Sequence, residues 1–295
     1  MLEFNGRVAI VTGAGRGIGR AHALLLAARG AAVVVNDYGV ATDGSGASPA
    51  PAEQVAGEIR AAGGRAIANV ASVATEDGAR SIVAAALDAF GALDILVNNA
   101  GIAAPAPFDQ TRMETFRRLM DVHFFGTVAM CQAAWPYLLA SDAGRLLNTT
   151  SSSILGLPHW SGYAAAKGAV FAFTRCLATE AAATRVRVNM LAPGAGTRMV
   201  TDAIPDGPTR DWMLGSLPPH LVAPVAAWLV HQSCTLNGEL LAASAGQVRR
   251  YRIGETDGFG DPQLTPEDVA ANMPALMAQT SFHPWSDTEQ SLPGR

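Results

Sequence analysis

Tyr163 and Lys167 stand four residues apart in Tyr163-Ala-Ala-Ala-Lys167. On a helix this spacing puts a phenol and an ammonium on one face, one turn apart. A free tyrosine ionises near pH ~10 and carries protons poorly at neutrality, whereas a neighbouring cation stabilises the phenolate. Upstream, Thr12-Gly-Ala-Gly-Arg-Gly-Ile-Gly19 reads as a strand-to-helix turn able to cradle a phosphate. Gly13, Gly17 and Gly19 let the backbone turn tightly and approach a pyrophosphate. The helix that follows, entered through Arg16 and Ile18, offers free N–H groups and the positive end of its dipole. A Tyr/Lys pair alone is usually a surface contact, and a glycine turn alone is often just a turn. Together they point to proton-coupled hydride transfer on a nicotinamide dinucleotide.

Asp37 closes the second expected strand. A carboxylate there accepts hydrogen bonds from the adenosine ribose and repels the extra phosphate of NADP, which favours NAD. Arg16 pulls towards NADP, since an arginine in the glycine turn can meet that phosphate. The plainer reading of Asp37 is a strand-end turn residue. A third chemical group is expected from Asn148-Thr-Thr-Ser-Ser-Ser153, where one hydroxyl would donate to a substrate carbonyl oxygen. The alternative is a hydroxyl-rich loop that satisfies its own backbone.

The surrounding pattern alternates strands and helices. Strands are expected at Val8–Val11, 32–36, 66–70, 93–98, 145–150, 186–191 and 239–243. Helices are expected at 17–29, 51–62, 76–90, 112–140, 160–184 and 219–231. Such alternation implies right-handed crossovers and a parallel sheet covered on both faces. The stretch 40–50 is a surface loop by composition. Residues 193–217 form a long substrate loop with a short helix near Trp212. The expected organisation is one domain over 1–246, with a 247–295 extension packing on it or on a neighbouring subunit. In that extension Thr265 is an N-cap, followed by Pro266, Glu267 and Asp268.

The chain has 295 residues, 49% of them apolar and 16% charged, with a net charge of −4. That suits a well-filled core and gives no basis for binding nucleic acid. No membrane span and no secretory leader are read, and a cytoplasmic location is expected. Cys131, Cys176 and Cys234 lack metal spacing and are expected to be free buried thiols, so no metal is assigned.

Thr12–Gly19, Asn98-Asn-Ala-Gly101, the hydroxyls before Tyr163-x-x-x-Lys167, and Pro193-Gly194 together resemble the short-chain dehydrogenases/reductases over roughly residues 5–245. The resemblance implies a Rossmann-like doubly wound sheet of about seven strands in the order 3-2-1-4-5-6-7. It also implies a Ser–Tyr–Lys site at the carboxyl ends of the strands. Carried over by position, Tyr163 is the acid–base residue, and Lys167 holds the nicotinamide ribose and lowers the phenol pKa. Asn98, Ala100 and Gly101 lie beside the cofactor, Pro193 and Gly194 border the nicotinamide, and Thr197 meets its carboxamide. The serine is Ser151 by strand register or Thr150 by the family's usual loop length. His123 stands where the family carries an Asn and either keeps that residue's proton relay or simply packs in its helix. No carboxylate follows the third strand, so the adenine grip near Val70 rests on backbone groups.

Within the family, Asn36-Asp-Tyr-Gly39, His123, Ala192–Met199 and Leu264–Val269 are similar to the (3R)-hydroxyacyl-CoA dehydrogenase units of peroxisomal multifunctional enzymes type 2 and their bacterial relatives. His159, Trp160 and Trp212, with Met213 and Leu214, are expected around a hydrophobic substrate. The function expected is an NAD-dependent oxidoreductase on a secondary alcohol or ketone, in a homodimer or homotetramer. The alternatives are an NADP-dependent carbonyl reductase and a catalytically silent nucleotide-binding regulator.

Overall fold

The computed structural model describes residues 1–284, which fall into two compact units, Met1–Arg249 and the described residues from Arg250 onward. The first unit opens with β1 (Val8–Thr12), α1 (Gly17–Ala28), β2 (Ala32–Asn36), α2 (Ala50–Ala61), β3 (Arg65–Asn69), α3 (Glu76–Phe90) and β4 (Ile95–Asn98). It continues with α4 (Met113–Met120), α5 (Gly126–Ala140), β5 (Arg145–Thr149), α6 (Ser161–Glu180) and β6 (Arg187–Gly194). Helices α7 (Arg198–Ala203), α8 (Pro208–Ser216) and α9 (Ala223–Leu229) lead to β7 (Leu240–Ser244) and β8 (Gln247–Tyr251). The strand order is β3-β2-β1-β4-β5-β6-β7-β8, parallel from β3 through β7.

The sheet is sandwiched because its strands are apolar on both faces. One face packs against Ala23 and Leu26 of α1, Val55 and Ile59 of α2, and Val225 and Leu229 of α9. The other packs against Ile82 of α3, Met130 and Leu138 of α5, and Ala178 of α6. Each fully buried aliphatic side chain contributes about 1.5–3 kcal/mol. Successive strands leave β1 in opposite directions, to β2 on one side and to β4 on the other. This opens a crevice at the carboxyl ends of β1 and β4, where such sheets bind ligands.

Three features depart from the sequence expectation. The helix expected over 112–140 is interrupted by a π turn, Asp121–Phe125, closed by Gly126 N–H bonding Asp121 O. The substrate loop holds two helices, α7 and α8, rather than one. An eighth strand follows β7 through the two-residue turn Ala245-Gly246, both in the left-handed region at φ 49° and 73°. That conformation matches the twist of a hairpin. The second unit pairs β9 (Gly254–Glu255) with β10 (His283–Pro284) antiparallel, and contains α10 (Pro266–Met277). Thr265 caps α10 in a reciprocal box with Asp268. Of the three cysteines, Cys131 and Cys234 are buried, but Cys176 is exposed, contrary to expectation.

One core group carries a pH liability. His22 of α1 is fully buried with neither ring nitrogen partnered, and burial pushes its pKa down to about 4. The neutral form is favoured in the fold, so stability is full above the unfolded pKa of about 6.5 and is lost as pH falls towards the folded value. The loss expected from this residue is about 3 kcal/mol. A His22→Leu variant should show a flatter fall in urea midpoint between pH 7 and pH 4.5. Equal slopes for the two proteins would refute the assignment.

Candidate active site

The glycine turn after β1 is tight for a reason visible in its contacts. Gly13 takes φ 62°, and a Cβ there would lie 2.8 Å from Ala100 Cα. A Cβ on Gly19 would overlap the Gly13 carbonyl. Thr12 Oγ1 accepts from the N–H groups of Asn99 and Ala100 at 3.0 and 3.1 Å. Asn99 Nδ2 donates to the Thr12 and Gly13 carbonyls at 2.9 and 3.2 Å. The turns after β1 and β4 are thereby locked together. No side chain caps the first turn of α1, so its N–H groups remain available to a ligand.

These turns form one end of a groove of about 610 Å³. Gly13, Arg16, Gly17, Ile18, Gly19 and Asp37 line it at that end, and Ser151, Tyr163 and Lys167 line it deeper in. Ala100, Gly101, His123, Trp160, Pro193, Gly194 and Thr197 lie on its walls. Asp37 Oδ2 accepts from Gly15 N–H at 2.8 Å and Oδ1 from Gly39 N–H at 2.7 Å. Its carboxylate therefore braces the turn and still has lone pairs for hydroxyl donors.

The end of β5 distinguishes the two hydroxyl candidates. Thr150 is buried with Oγ1 donating to the Lys167 carbonyl at 3.0 Å, which turns it away from the groove. Ser151 lines the groove, its hydroxyl bonds Tyr163, and it accepts from Ser153 N–H at 3.1 Å. Lys167 is only 3% exposed and donates to the Thr149 carbonyl at 2.7 Å, with Nζ 5.8 Å from the centroid of the Tyr163 ring. The Tyr163 ring is held edge-to-face between His123 at 5.1 Å and Trp160 at 5.2 Å.

Electrostatics within the protein run against one expectation. Burial pushes the Tyr163 phenol up to about 12, only partly offset by its bond with Ser151. Burial also pulls Lys167 down to about 7. Desolvation outweighs the mutual stabilisation that the Tyr/Lys spacing suggests. His123 is driven well below its usual value, first by burial and then by Lys167, and stays neutral. Its Nε2 lies 2.8 Å from Ile102 O and 3.2 Å from Ile102 N, and its Nδ1 has no partner.

This combination is recognisable. The short chain dehydrogenase family model matches residues 7–206. The chain belongs to this family. A short-chain type dehydrogenase/reductase of Mycobacterium tuberculosis is 42% identical over 267 residues, covering 90% of this chain and 92% of that one. Mouse peroxisomal multifunctional enzyme type 2 is 38% identical over 276 residues, which cover 92% of this chain but only 36% of the mouse enzyme's length. Among solved structures, 7α-hydroxysteroid dehydrogenase complexed with NADH and 7-oxo glycochenodeoxycholic acid superposes with a TM-score of 0.74 at 30% identity, covering 83% of this chain and 95% of that one. The chain is thus a short-chain dehydrogenase, an oxidoreductase acting on CH–OH donors.

Several residues expected at this dehydrogenase's site lie elsewhere. Asn98 is buried beneath the groove, donating to Asn148 Oδ1 at 2.9 Å, and Asn99 takes the place beside the glycine turn. Val70 is 44% exposed and outside the lining, which at that level is formed by Ala71 and Ser72. Trp212 is 58% exposed and also outside the lining, as are Leu214 and His159, whose φ is 69°. Met213 lines the groove instead. Groove-lining residues not singled out in the sequence include Asn99 and Arg118. The adjacent Asn98-Asn99 pair was the available signal for Asn99, since alternate residues of a strand end face opposite ways. Among the described residues no helix is long and apolar enough to cross a membrane, and no three His, Cys, Asp or Glu side chains gather as a metal set.

Proposed function

We propose that this short-chain dehydrogenase moves hydride between NAD and a hydrophobic secondary alcohol or its ketone. The observation that carries the reading is the convergence of Ser151, Tyr163 and Lys167 in the same groove that begins at the glycine turn. The uncapped α1 N-terminus and the crowding at Gly13 fit a pyrophosphate, and Asp37 fits the adenosine ribose. NAD held there supplies the hydride acceptor, and NADH the donor. Ser151 fixes and polarises the substrate oxygen. Tyr163 takes the hydroxyl proton in oxidation and returns it in reduction. Lys167, anchored on the Thr149 carbonyl, would hold the nicotinamide ribose. An intact Tyr163/Lys167 pair lining the groove speaks against a silent regulator.

Leu157, Trp160, Met199, Ile204 and Met213 make the substrate wall largely apolar. This supports a 3-hydroxyacyl thioester or a steroid or alicyclic alcohol. The bile acid in the 7α-hydroxysteroid dehydrogenase complex supports the steroid option. Turnover of a panel of both substrate classes, followed at 340 nm by roughly matched assays with NAD and NADP, tests the reading. Binding of dinucleotide with no turnover across the panel would favour the regulator instead. The free thiols agree with a cytoplasmic enzyme, and the family's habit supports a homodimer or homotetramer.

The cofactor preference has a specific rival. Arg16 and Arg198 line the groove, and Arg198 lies within electrostatic reach of Asp37. The Asp37 carboxylate should still dominate, giving a catalytic efficiency with NAD at least about tenfold above that with NADP. Asp37→Asn keeps the side chain's shape and removes its charge, so the ratio should fall severalfold. A ratio below one in the wild type would assign the enzyme to NADP.

A further inference from the structure

The segment after β2 does more than connect it to α2. Tyr38 to Ser48 forms a compact loop whose ends meet through Ser48 N–H bonding Tyr38 O at 3.2 Å, braced inside by Ala41 N–H on Ser45 O at 2.8 Å. Val40, Ala41, Thr42 and Gly44 line the groove. Within this loop, Thr42 is clamped from two sides. Its carbonyl accepts from Ala103 N–H at 2.8 Å, in the turn after β4. Its hydroxyl donates to Asp202 Oδ2 at 2.6 Å, on α7 of the substrate loop.

Ile102, next to Ala103, lines one rim of the groove, and Arg198, Met199 and Val200 of α7 line the other. Thr42 therefore joins two segments that both line the groove, the turn after β4 and α7. We propose that Thr42 and Asp202 are positioning residues that strap the dinucleotide into this groove. The proposal rests on the reading above, in which a dinucleotide runs from Asp37 to Tyr163. On this proposal a dinucleotide along that path passes beneath the Thr42–Asp202 bond and leaves faster when that bond is absent. Because Met199, Val200 and Ile204 of the same segment face the substrate wall, the strap also ties cofactor release to the position of the substrate loop. Neither residue touches the reacting atoms, so their removal should alter retention and not chemistry.

The test is the NADH dissociation rate of the full-length protein, followed by stopped-flow fluorescence on chasing with excess NAD. The Thr42–Asp202 bond is exposed, but its acceptor is charged, which strengthens it over a neutral pair. Thr42→Val and Asp202→Ala should each release NADH about five- to tenfold faster, without a lower kcat. Thr42→Ser, which keeps the hydroxyl, should match the wild type. Wild-type release rates in both Thr42→Val and Asp202→Ala would overturn the strap, as would a Thr42→Ser variant as leaky as Thr42→Val. If the wild type binds NADPH and not NADH, the cofactor preference fails, and the same series run with NADPH decides the strap. If it binds neither, the dinucleotide reading and the strap fall together.

Discussion

Replacing Tyr163 with Phe is expected to lower kcat by about 10²–10⁴-fold, the usual contribution of a positioned acid–base group. The substitution is clean because the ring keeps its two edge-to-face partners, His123 and Trp160. Only the hydroxyl and its bond with Ser151 disappear. Dinucleotide affinity should stay within about twofold, since the tyrosine's hydroxyl, and not its bulk, is what chemistry needs. In the protein alone the phenol is protonated far above neutrality, with a pKa raised to about 12 by burial. The resting enzyme is therefore poised to give a proton, and oxidation needs a further positive charge near the ring to release it. Steady-state kinetics beside a fluorescence titration with NADH check the split. Full turnover in Tyr163→Phe would remove the acid–base assignment. A matched loss of dinucleotide binding would recast Tyr163 as a binding residue.

What the sequence disclosed about this site is governed by how local each feature is. The glycine turn, Asp37 and the Tyr163/Lys167 pair are fixed by spacing along one turn or one helix, and all reach the groove. Ser151 was separable from Thr150 only by strand register, and the register holds because β5 continues to Thr149, with Thr150 N–H still bonding Leu191 O. Val70, His159 and Trp212 lie outside the groove lining, and each sits in a turn or short helix whose facing depends on tertiary packing. The π turn around His123 has no periodicity signal, since one extra residue in a helix leaves the apolar pattern nearly unchanged. The β7–β8 hairpin was hidden because Ala245, not Asn or Asp, occupies a left-handed position of its turn. The shifts of the phenol and the ammonium in the protein alone were not legible for a related reason. Spacing shows which groups are neighbours but not how dry their surroundings are.

The second large effect concerns stability and begins at the other end of the strand that delivers Ser151. Arg145 opens β5 and is 6% exposed. Its guanidinium donates to the carbonyls of Gly144, Arg185, His231, Gln232 and Cys234 at 2.8, 3.4, 3.1, 2.7 and 3.3 Å. Burial lowers its pKa, yet a guanidinium remains charged throughout the working range. These bonds pin the segment after α9 onto the start of β5, so they connect two stretches far apart in the chain. Arg145→Met keeps much of the stem's packing and removes every donor, stripping these bonds from the Gln232 and Cys234 carbonyls, while the Gly144 and His231 carbonyls keep the N–H groups of Arg187 and Cys234. The expected loss is on the order of 2–4 kcal/mol, the scale of a few charge-assisted hydrogen bonds. A chemical denaturation series should show the midpoint falling with little change in slope. Arg145→Lys should recover only part of the loss, because one ammonium cannot face five carbonyls spread across a planar fork. At low temperature the folded fraction of Arg145→Met should retain near-normal kcat, because Ser151 is held separately by Tyr163 and Ser153 at the opposite end of β5. A midpoint unchanged from wild type would show that water satisfies those carbonyls equally well. A fall in kcat larger than the loss of folded protein would show that β5 transmits the position of Arg145 to the active site.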